Sequence, residues 1–252
     1  MQIDVLTLFP GMFPPVLGAS ILARAAAKGV VRVEVHDLRD WSKDKHRKVD
    51  DRPYGGGPGM VLRPEPFFDA VEDLKTLKRG PVPLGSCPHV VLLSPRGEKL
   101  TQKAAQELAG KPWLILLCGH YEGVDERVRE GLVDQELSIG DYVLTCGELP
   151  AMVLIDSVVR LLPGSLGDRE SAAEESFSSR WLEYPQYTRP AEYRGMRVPD
   201  VLLSGDLPRV AEWRKLQALR RTASQRPDLI DGPATCLRPE GPGIQRQEGG
   251  KG

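Results

Sequence analysis

Residues 113–163 limit the folds open to this chain more than any other stretch of the sequence. The stretch opens with an unbroken apolar run, Trp113 to Cys118, and then turns at a loop bounded by glycines, 119–123. A second loop with two glycines, 140–147, leads into a long apolar segment, Leu149 to Leu162. Buried strands that end in glycine turns and lead into helices are typical of α/β proteins that bring backbone close to a small ligand.

The first 160 residues alternate between strand-like and helix-like patterns. Short β-rich apolar runs predict strands at 3–9, 30–35, 90–93 and 113–118. Amphipathic or alanine-rich segments predict helices at 20–28, 64–77, 100–108 and 149–162. This alternation predicts an α/β fold with a mostly parallel sheet and helices on both faces.

The last third of the chain has a different composition. Residues 164–181 are polar and irregular, as in an interdomain linker, and segments 187–190 and 201–205 are predicted loops. Pro208 to Ser224 predicts a basic helix, and the chain is rich in proline and glycine from Asp231. We therefore predict a ligand-binding domain over 1–163, a linker over 164–180, a small helical domain over 181–230 and a disordered tail over 231–252.

Composition excludes several classes of protein. The chain has 252 residues, of which 40% are hydrophobic and 27% charged, with a formal net charge of -1. No apolar run approaches the roughly 20 residues of a membrane helix, and the N-terminus lacks the pattern of a signal peptide. The four cysteines lack the spacing of a metal site. We expect a reduced, cytoplasmic protein that has no membrane association and no predicted metal site.

A loop between residues 40 and 60 combines basic residues with glycines. Lysines, an arginine and a histidine occupy 43–48, and Tyr54 is followed by four glycines within five residues. Such a segment is either a surface loop without a role or a loop that orders on a partner, with basic side chains for phosphate and glycines for close approach. Residue pattern alone favours the first interpretation.

The familiar dinucleotide fingerprint is absent. A Rossmann enzyme carries Gly-x-Gly-x-x-Gly after its first strand, but here the first strand ends in Phe9-Pro10-Gly11-Met12. Glycine turns follow the later strands instead, so any ligand site is expected in the second half of the sheet.

The combined motifs resemble one known family. They are Leu8-Phe9-Pro10, the loop Asp50 to Met60, Ser94-Pro95-Arg96-Gly97, the string from Cys118 to Gly164, and Tyr184 to Pro190. Together they resemble the bacterial tRNA (guanine-N1)-methyltransferases, a knotted methyltransferase family, over roughly residues 1 to 230. The resemblance implies a deep trefoil knot of the SPOUT type, a feature that is very rare among folds and that residue patterns do not predict.

The resemblance also implies S-adenosylmethionine as the cofactor, with magnesium as a family requirement for which no site is identified. Carried over residue by residue, the implied cofactor positions are Leu92, Ser94, Pro95, Gly119, Tyr121, Glu122, Gly123, Ile139, Gly140, Tyr142, Leu144 and Gly147. For the apolar members of this set, packing in the protein core is an alternative explanation to cofactor binding. The family usually has arginine where this chain has His120, and glycine where it has Cys146.

Methylation of N1 of guanine requires a base for the N1 proton and a positive group for the charge on O6. The resemblance assigns these roles to Glu175, where the family has aspartate, and to Arg160. The alternative for Glu175 is that it belongs to a solvated acidic linker without a catalytic role. The alternative for Arg160 is that it is a helix-end arginine whose charged group reaches solvent. The implied RNA-binding residues are His46, Asp50, Arg52, Tyr54, Gly59, Arg214 and Arg220.

The resemblance implies methylation of the guanosine at position 37 of tRNA, beside the anticodon. Two alternatives stay open: a knotted RNA-binding protein with impaired catalysis, and a knotted methyltransferase acting on ribosomal RNA. The apolar segment Leu149 to Leu162 needs burial on most sides, so we also expect a homodimer.

Overall fold

The computed structural model describes residues 1–76, 82, 85–166, 176–177 and 181–230. The chain divides into two compact units, Met1–Ala172 and Ala173–Gly252. Residues 231–252 and most of the predicted linker lie outside the described residues. The finer boundaries at 163, 180 and 230 therefore stay predictions.

The first unit is built on a parallel sheet. Its strands are β1 (Gln2–Thr7), β2 (Arg32–Asp37), β3 (Asp50–Asp51), β4 (Val61–Leu62), β5 (His89–Lys99), β6 (Trp113–Cys118) and β7 (Gln135–Ser138). Five of them form one sheet in the order β2-β1-β6-β5-β7, and every neighbouring pair is parallel. β3 and β4 form a separate antiparallel pair. The mostly parallel sheet predicted from the sequence is confirmed.

Helices cover both faces of this sheet. They are α1 (Pro14–Leu17), α2 (Ser20–Ala27), α3 (Pro64–Thr76), α4 (Gln102–Ala109), α5 (Glu126–Leu132) and α6 (Glu148–Val159). In β6, Leu114 and Leu116 belong to the core that contains residues of α2, α4 and α6. Ile115 and Leu117 belong to the core that contains residues of α3 and α5. Both faces of a strand are thus buried, which is why β6 is an unbroken apolar run.

The largest difference from the predicted elements lies in β5. The predicted strand ended at Leu93, but pairing resumes after a four-residue excursion, because both Leu93 and Glu98 pair with Leu137 of β7. Gly97 closes this excursion, and a β-carbon there would lie 2.5 Å from the carbonyl oxygen of Glu136. The loop 94–97 is therefore held at the carboxyl end of the sheet by strand pairing on both sides.

In the second unit, the described residues form short elements and one long helix. Strands β8 (Glu192–Tyr193) and β9 (Met196–Arg197) form a hairpin, followed by helices α7 (Asp200–Leu203) and α8 (Leu207–Gln225). The loop predicted over 201–205 is wrong in part, because α7 makes one helical turn there. The hydroxyl of the buried Thr222 in α8 accepts a 2.9 Å hydrogen bond from the backbone of Leu182. Within the described residues, no helix is long and apolar enough to cross a membrane.

Candidate active site

A cavity of about 330 Å³ opens at the carboxyl ends of β5, β6 and β7. Three loops form it: the excursion at 94–96, the turn at 119–124 and the segment 139–147. All twelve predicted cofactor positions line this one cavity, namely Leu92, Ser94, Pro95, Gly119, Tyr121, Glu122, Gly123, Ile139, Gly140, Tyr142, Leu144 and Gly147. Since these strands are parallel neighbours, their carboxyl ends meet at one edge, the usual ligand position in such sheets.

The backbone of Gly147 packs directly against the end of β6. Its amide donates a 2.8 Å hydrogen bond to the carbonyl of Gly119. A β-carbon at Gly147 would lie 2.7 Å from the amide nitrogen of Gly119 and 2.9 Å from the α-carbon of Cys118. His120 and Cys146 also pair as an isolated antiparallel bridge. The glycine is required here because the two backbones touch, and the contact fixes one wall of the cavity.

A buried carboxylate lies behind this wall. Glu148, the first residue of α6, is fully buried, and its Oε1 accepts a 2.5 Å hydrogen bond from the hydroxyl of Thr7. Its position at a helix N-terminus favours negative charge. Glu148 Oε2 has no hydrogen-bond partner among the described residues. Sequence reasoning missed this pair, although an acidic residue at the start of so apolar a helix was a usable signal.

Two thiols lie close to this carboxylate. Burial, with a smaller contribution from Glu148, raises the pKa of the Cys118 thiol well above its usual value. Burial also raises the pKa of the Cys146 thiol, and the neighbouring Glu148 adds to that effect. Both thiols are therefore neutral at physiological pH. Cys146 lines the cavity and is partly exposed, whereas Cys118 is buried in the core.

Three rings form a row at the mouth of the cavity. The ring centroids of Phe9 and His120 are 5.0 Å apart, and those of His120 and Tyr121 are 4.4 Å apart. Tyr121 has a φ of 57° and a half-exposed side chain. The Nδ1 atom of His120 is buried without a hydrogen-bond partner among the described residues. The planes of neighbouring rings are inclined by 56° and 80°, so the three form a tilted and edge-on aromatic cluster beside the glycine turn.

The glycine loop of residues 50–60 is attached to the same turn. The amide of Glu122 donates to the carbonyl of Met60 (3.1 Å), and the amide of Leu62 donates to the carbonyl of Gly123 (3.0 Å). Tyr54 at the tip is fully exposed. Four glycines have positive φ values, which other residues rarely adopt: Gly55 (84°), Gly56 (80°), Gly57 (115°) and Gly59 (87°). The loop thus has a defined backbone conformation beside the cavity.

The predicted RNA-binding residues His46, Asp50, Arg52 and Tyr54 lie in or just before this loop. Asp50 pairs with Leu62 in the β3–β4 ladder, and Arg52 is exposed one residue beyond it. His46 is exposed, and its backbone amide donates a 2.7 Å hydrogen bond to Asp44. The structure thus leaves the side chains of His46, Arg52 and Tyr54 open to solvent.

A family model described as tRNA (guanine-1)-methyltransferase TrmD matches residues 1–232. The chain belongs to this family. It is 57% identical over 231 residues to a tRNA (guanine-N(1)-)-methyltransferase of Geobacillus kaustophilus, covering 92% of each chain. Proteins with the same name in Bacillus cereus (strain B4264) and Halalkalibacterium halodurans are 59% and 60% identical over 232 residues, again with 92% of each chain covered.

Two of the three positions at which the resemblance implies a departure from the usual family residue, His120 and Cys146, line the cavity. His120 and Cys146 face each other across the isolated bridge. Neither replacement disturbs the contact between Gly119 and Gly147, since that contact is made by backbone atoms. The contact that fixes this wall therefore does not depend on the side chains at positions 120 and 146.

Of the predicted catalytic pair of this TrmD-family member, the structure describes only Arg160, at the end of α6 that is remote from the cavity. Arg160 follows the last residue of α6, whereas Gly147 and Pro150 at the other end of that helix line the cavity. Arg160 lies ten positions after Pro150, about 15 Å along the helix at the α-helical rise. Glu175 lies outside the described residues.

The basic helix of the second unit carries the last two predicted RNA-binding residues. The guanidinium carbon of Arg214 lies 4.7 Å from the ring centroid of Tyr184. Arg220, further along α8, is exposed. Arg214 is therefore held against an aromatic ring, while Arg220 is a surface cation.

A cluster of titratable groups outside the cavity lies on β1 and β2. Ligand atoms of Asp4, Glu34 and His36 lie within 4.8 Å of one another. The carboxylate of Asp4 already accepts hydrogen bonds from Trp113 Nε1 (2.7 Å) and contacts His36 Nε2 (2.7 Å). These contacts tie the buried Asp4 of β1 to the half-buried His36 of β2 and to Trp113 of β6.

Proposed function

We propose that this chain transfers a methyl group from S-adenosylmethionine to N1 of the guanosine at position 37 of tRNA. One observation carries the proposal: the twelve positions that correspond to the family's cofactor site line a single cavity. The names of the relatives, tRNA (guanine-N(1)-)-methyltransferase, supply the reaction class. We place the reaction in the cytoplasm, where tRNA is the available substrate.

The lining of the cavity suits a cofactor with both apolar and polar parts. Leu92, Ile139 and Leu144 offer apolar contacts for a ring, and backbone groups of the turns at 119–123 and 139–147 offer hydrogen bonds. Glu122 at the mouth offers a carboxylate to a cationic centre. Bound there, S-adenosylmethionine supplies an electrophilic methyl group.

As the new N–C bond forms, the S–C bond of the sulfonium breaks and leaves S-adenosylhomocysteine, and the substrate base must give up its N1 proton. In the proposal Glu175 accepts that proton, and Arg160 stabilises the negative charge that develops on O6. The glycine loop, through its backbone contacts with Glu122 and Gly123, lies where a base extruded from the anticodon loop would enter. No residue is assigned to magnesium.

Arg160 must come close to a cavity in order to act on the substrate base, and in the proposal a homodimer brings it there. One face of α6 is exposed: Leu149 (44%), Val153 (47%) and Asp156, with the half-buried Arg160 following on the same stripe. Exposed leucine and valine on so apolar a helix favour burial against a second copy. A two-fold axis that pairs these stripes antiparallel would bring the partner subunit's Arg160 toward the cavity.

Two other functions make different predictions. A knotted RNA-binding protein with impaired catalysis would bind tRNA but fail to transfer methyl groups, and the replacements at His120, Cys146 and Glu175 are its only support. A methyltransferase acting on ribosomal RNA would use another substrate, but the glycine loop and the basic second unit match the tRNA family.

The test is methyl transfer from labelled S-adenosylmethionine to two tRNA transcripts that differ only in guanosine or adenosine at position 37. We expect label in the guanosine transcript alone, recovered as 1-methylguanosine after digestion. Calorimetry with S-adenosylmethionine distinguishes the reasons for a failure. Cofactor binding without transfer would favour the impaired RNA-binding protein, and transfer to ribosomal RNA fragments would favour the third function.

A further inference from the structure

The second unit contains a cavity of its own, of about 350 Å³. It is bounded by the segment 184–191, by residues near α7, and by α8. Its lining includes two tyrosines and two arginines but no acidic residue: Tyr184, Pro185, Gln186, Tyr187, Thr188, Arg189, Ala191, Val198, Leu202, Leu203, Val210 and Arg214. A cavity with this charge and these rings favours a planar, anionic ligand.

Arg214 is the most informative group in this cavity. Its guanidinium stacks on the ring of Tyr184, 4.7 Å from the centroid, and its side chain is half-buried. The Nε atom is buried and has no hydrogen-bond partner among the described residues. An unsatisfied buried donor on a charged group destabilises a protein unless a ligand supplies the acceptor.

Tyr187 provides a second ring on the same cavity. Its side chain is 50% exposed, and its ring centroid lies 6.4 Å from that of Trp213. Arg189 is exposed, and none of its polar atoms bonds to another described residue. The cavity therefore offers one free aromatic face, one stacked guanidinium and one exposed cation.

We infer that this cavity binds an unstacked nucleotide of the tRNA other than the methylated guanosine, an inference that rests on the proposed function. The base lies against Tyr187 and presents an acceptor to the guanidinium of Arg214, and the phosphate lies on Arg189. Stacking on aromatic rings and guanidinium planes is the usual way proteins hold extruded bases of RNA. An exposed cation such as Arg220 would suffice for phosphate attraction alone, without a cavity.

The experiment measures tRNA affinity of the full-length protein without S-adenosylmethionine, by fluorescence anisotropy. We expect Tyr187→Ala to weaken binding about tenfold or more, because one stacked base is lost. Tyr187→Phe keeps the ring and should bind as the unaltered protein does. Tyr193→Ala is the matched control, since Tyr193 also carries an arginine, Arg194, at 5.2 Å but lies outside the cavity.

Abasic nucleotides placed one at a time at the unpaired positions of the tRNA identify the base. An abasic nucleotide at one position other than 37 should weaken tRNA binding to the unaltered protein. The same abasic tRNA should bind Tyr187→Ala no more weakly than intact tRNA does. The salt dependence of binding should be unchanged in Tyr187→Ala, whereas Arg189→Gln should reduce its logarithmic slope by roughly 0.7 to 0.9.

Three results would overturn the inference: equal affinities of Tyr187→Ala and the unaltered protein, additive losses at every abasic position, or coupling only to position 37. Binding and turnover are measured separately, so the two proposals fail in different ways. If the protein methylates tRNA but no abasic position weakens binding, only the inference about the nucleotide cavity is wrong. If one abasic position is coupled to Tyr187→Ala but no methyl transfer occurs, the cavity inference is supported and only the proposed function is wrong.

Discussion

The hydroxyl of Thr7 donates a 2.5 Å hydrogen bond to the carboxylate of Glu148, 141 positions further along the chain. Thr7 ends β1 and Glu148 begins α6, and both side chains are fully buried. The same hydroxyl accepts a hydrogen bond from the backbone amide of Phe9 (2.9 Å). One polar contact thus joins a central strand, the helix behind the cavity and the aromatic row at its mouth.

Thr7→Val should destabilise the protein by about 1–3 kcal/mol, because it leaves a buried carboxylate without its hydrogen-bond donor. Denaturant unfolding followed by circular dichroism measures the change. Glu148→Gln with the native Thr7 keeps a carbonyl acceptor at the same place, so it should lower the free energy of unfolding by less than Thr7→Val does. An unchanged unfolding midpoint for Thr7→Val would show that the contact contributes no stability.

Gly147→Ala should lower both stability and cofactor affinity. The added methyl group would lie 2.7 Å from the amide of Gly119, so the cavity wall must move, at a cost of about 1–3 kcal/mol. Gly11→Ala is the control, since a β-carbon there has no neighbour within 4 Å. Calorimetry with S-adenosylmethionine and thermal unfolding check the two effects, and equal behaviour of both variants would contradict the steric argument.

Cys146 should react slowly with iodoacetamide at pH 7 and progressively faster as the pH rises. Burial raises the pKa of this thiol, and only the thiolate is nucleophilic, so its rate should keep increasing roughly tenfold per pH unit to above about pH 8.5. The measurement is mass spectrometry on a protein that carries Cys87→Ser and Cys236→Ser. S-adenosylmethionine should protect the thiol, and a pH-independent rate would contradict the assignment.

Val153→Glu should convert a dimer into a monomer. The substitution puts a charge in the middle of the exposed apolar stripe of α6, where an isologous interface would bury it twice. Light scattering at micromolar concentration measures the mass. Leu216→Glu, at an equally exposed apolar position of α8, should remain dimeric, and a monomeric unaltered protein would remove the dimer altogether.

Glu175→Gln should reduce single-turnover methylation by at least about 10², because it removes the proposed base, and leave cofactor affinity nearly intact. Glu174→Gln is the adjacent control and should keep nearly full rate. If Glu174→Gln is the inactive variant instead, the base is the neighbouring residue. Full rate in both variants would place the base outside this segment.

The sequence by itself predicted four of the five strands in the described sheet and the helices α2, α3, α4 and α6, because unbroken apolar runs and helical periodicity are local properties. The apolar run of β6 and the helix α2 were predicted almost to the residue. The motifs also marked the twelve positions that line the first cavity. The resemblance was enough to identify the family, and the family match then established it.

Only the tertiary structure decided which distant residues touch. The contact between Thr7 and Glu148 joins side chains far apart in the chain, and no residue pattern encodes such a pairing. The excursion in β5 depends on pairing with β7, and the cavity beside Arg214 depends on how α8 packs on the segment before it. The roughly 15 Å of helix between Pro150, which lines the cavity, and Arg160 is likewise a property of the folded helix. Local periodicity fixes elements, whereas the packing of those elements fixes the sites.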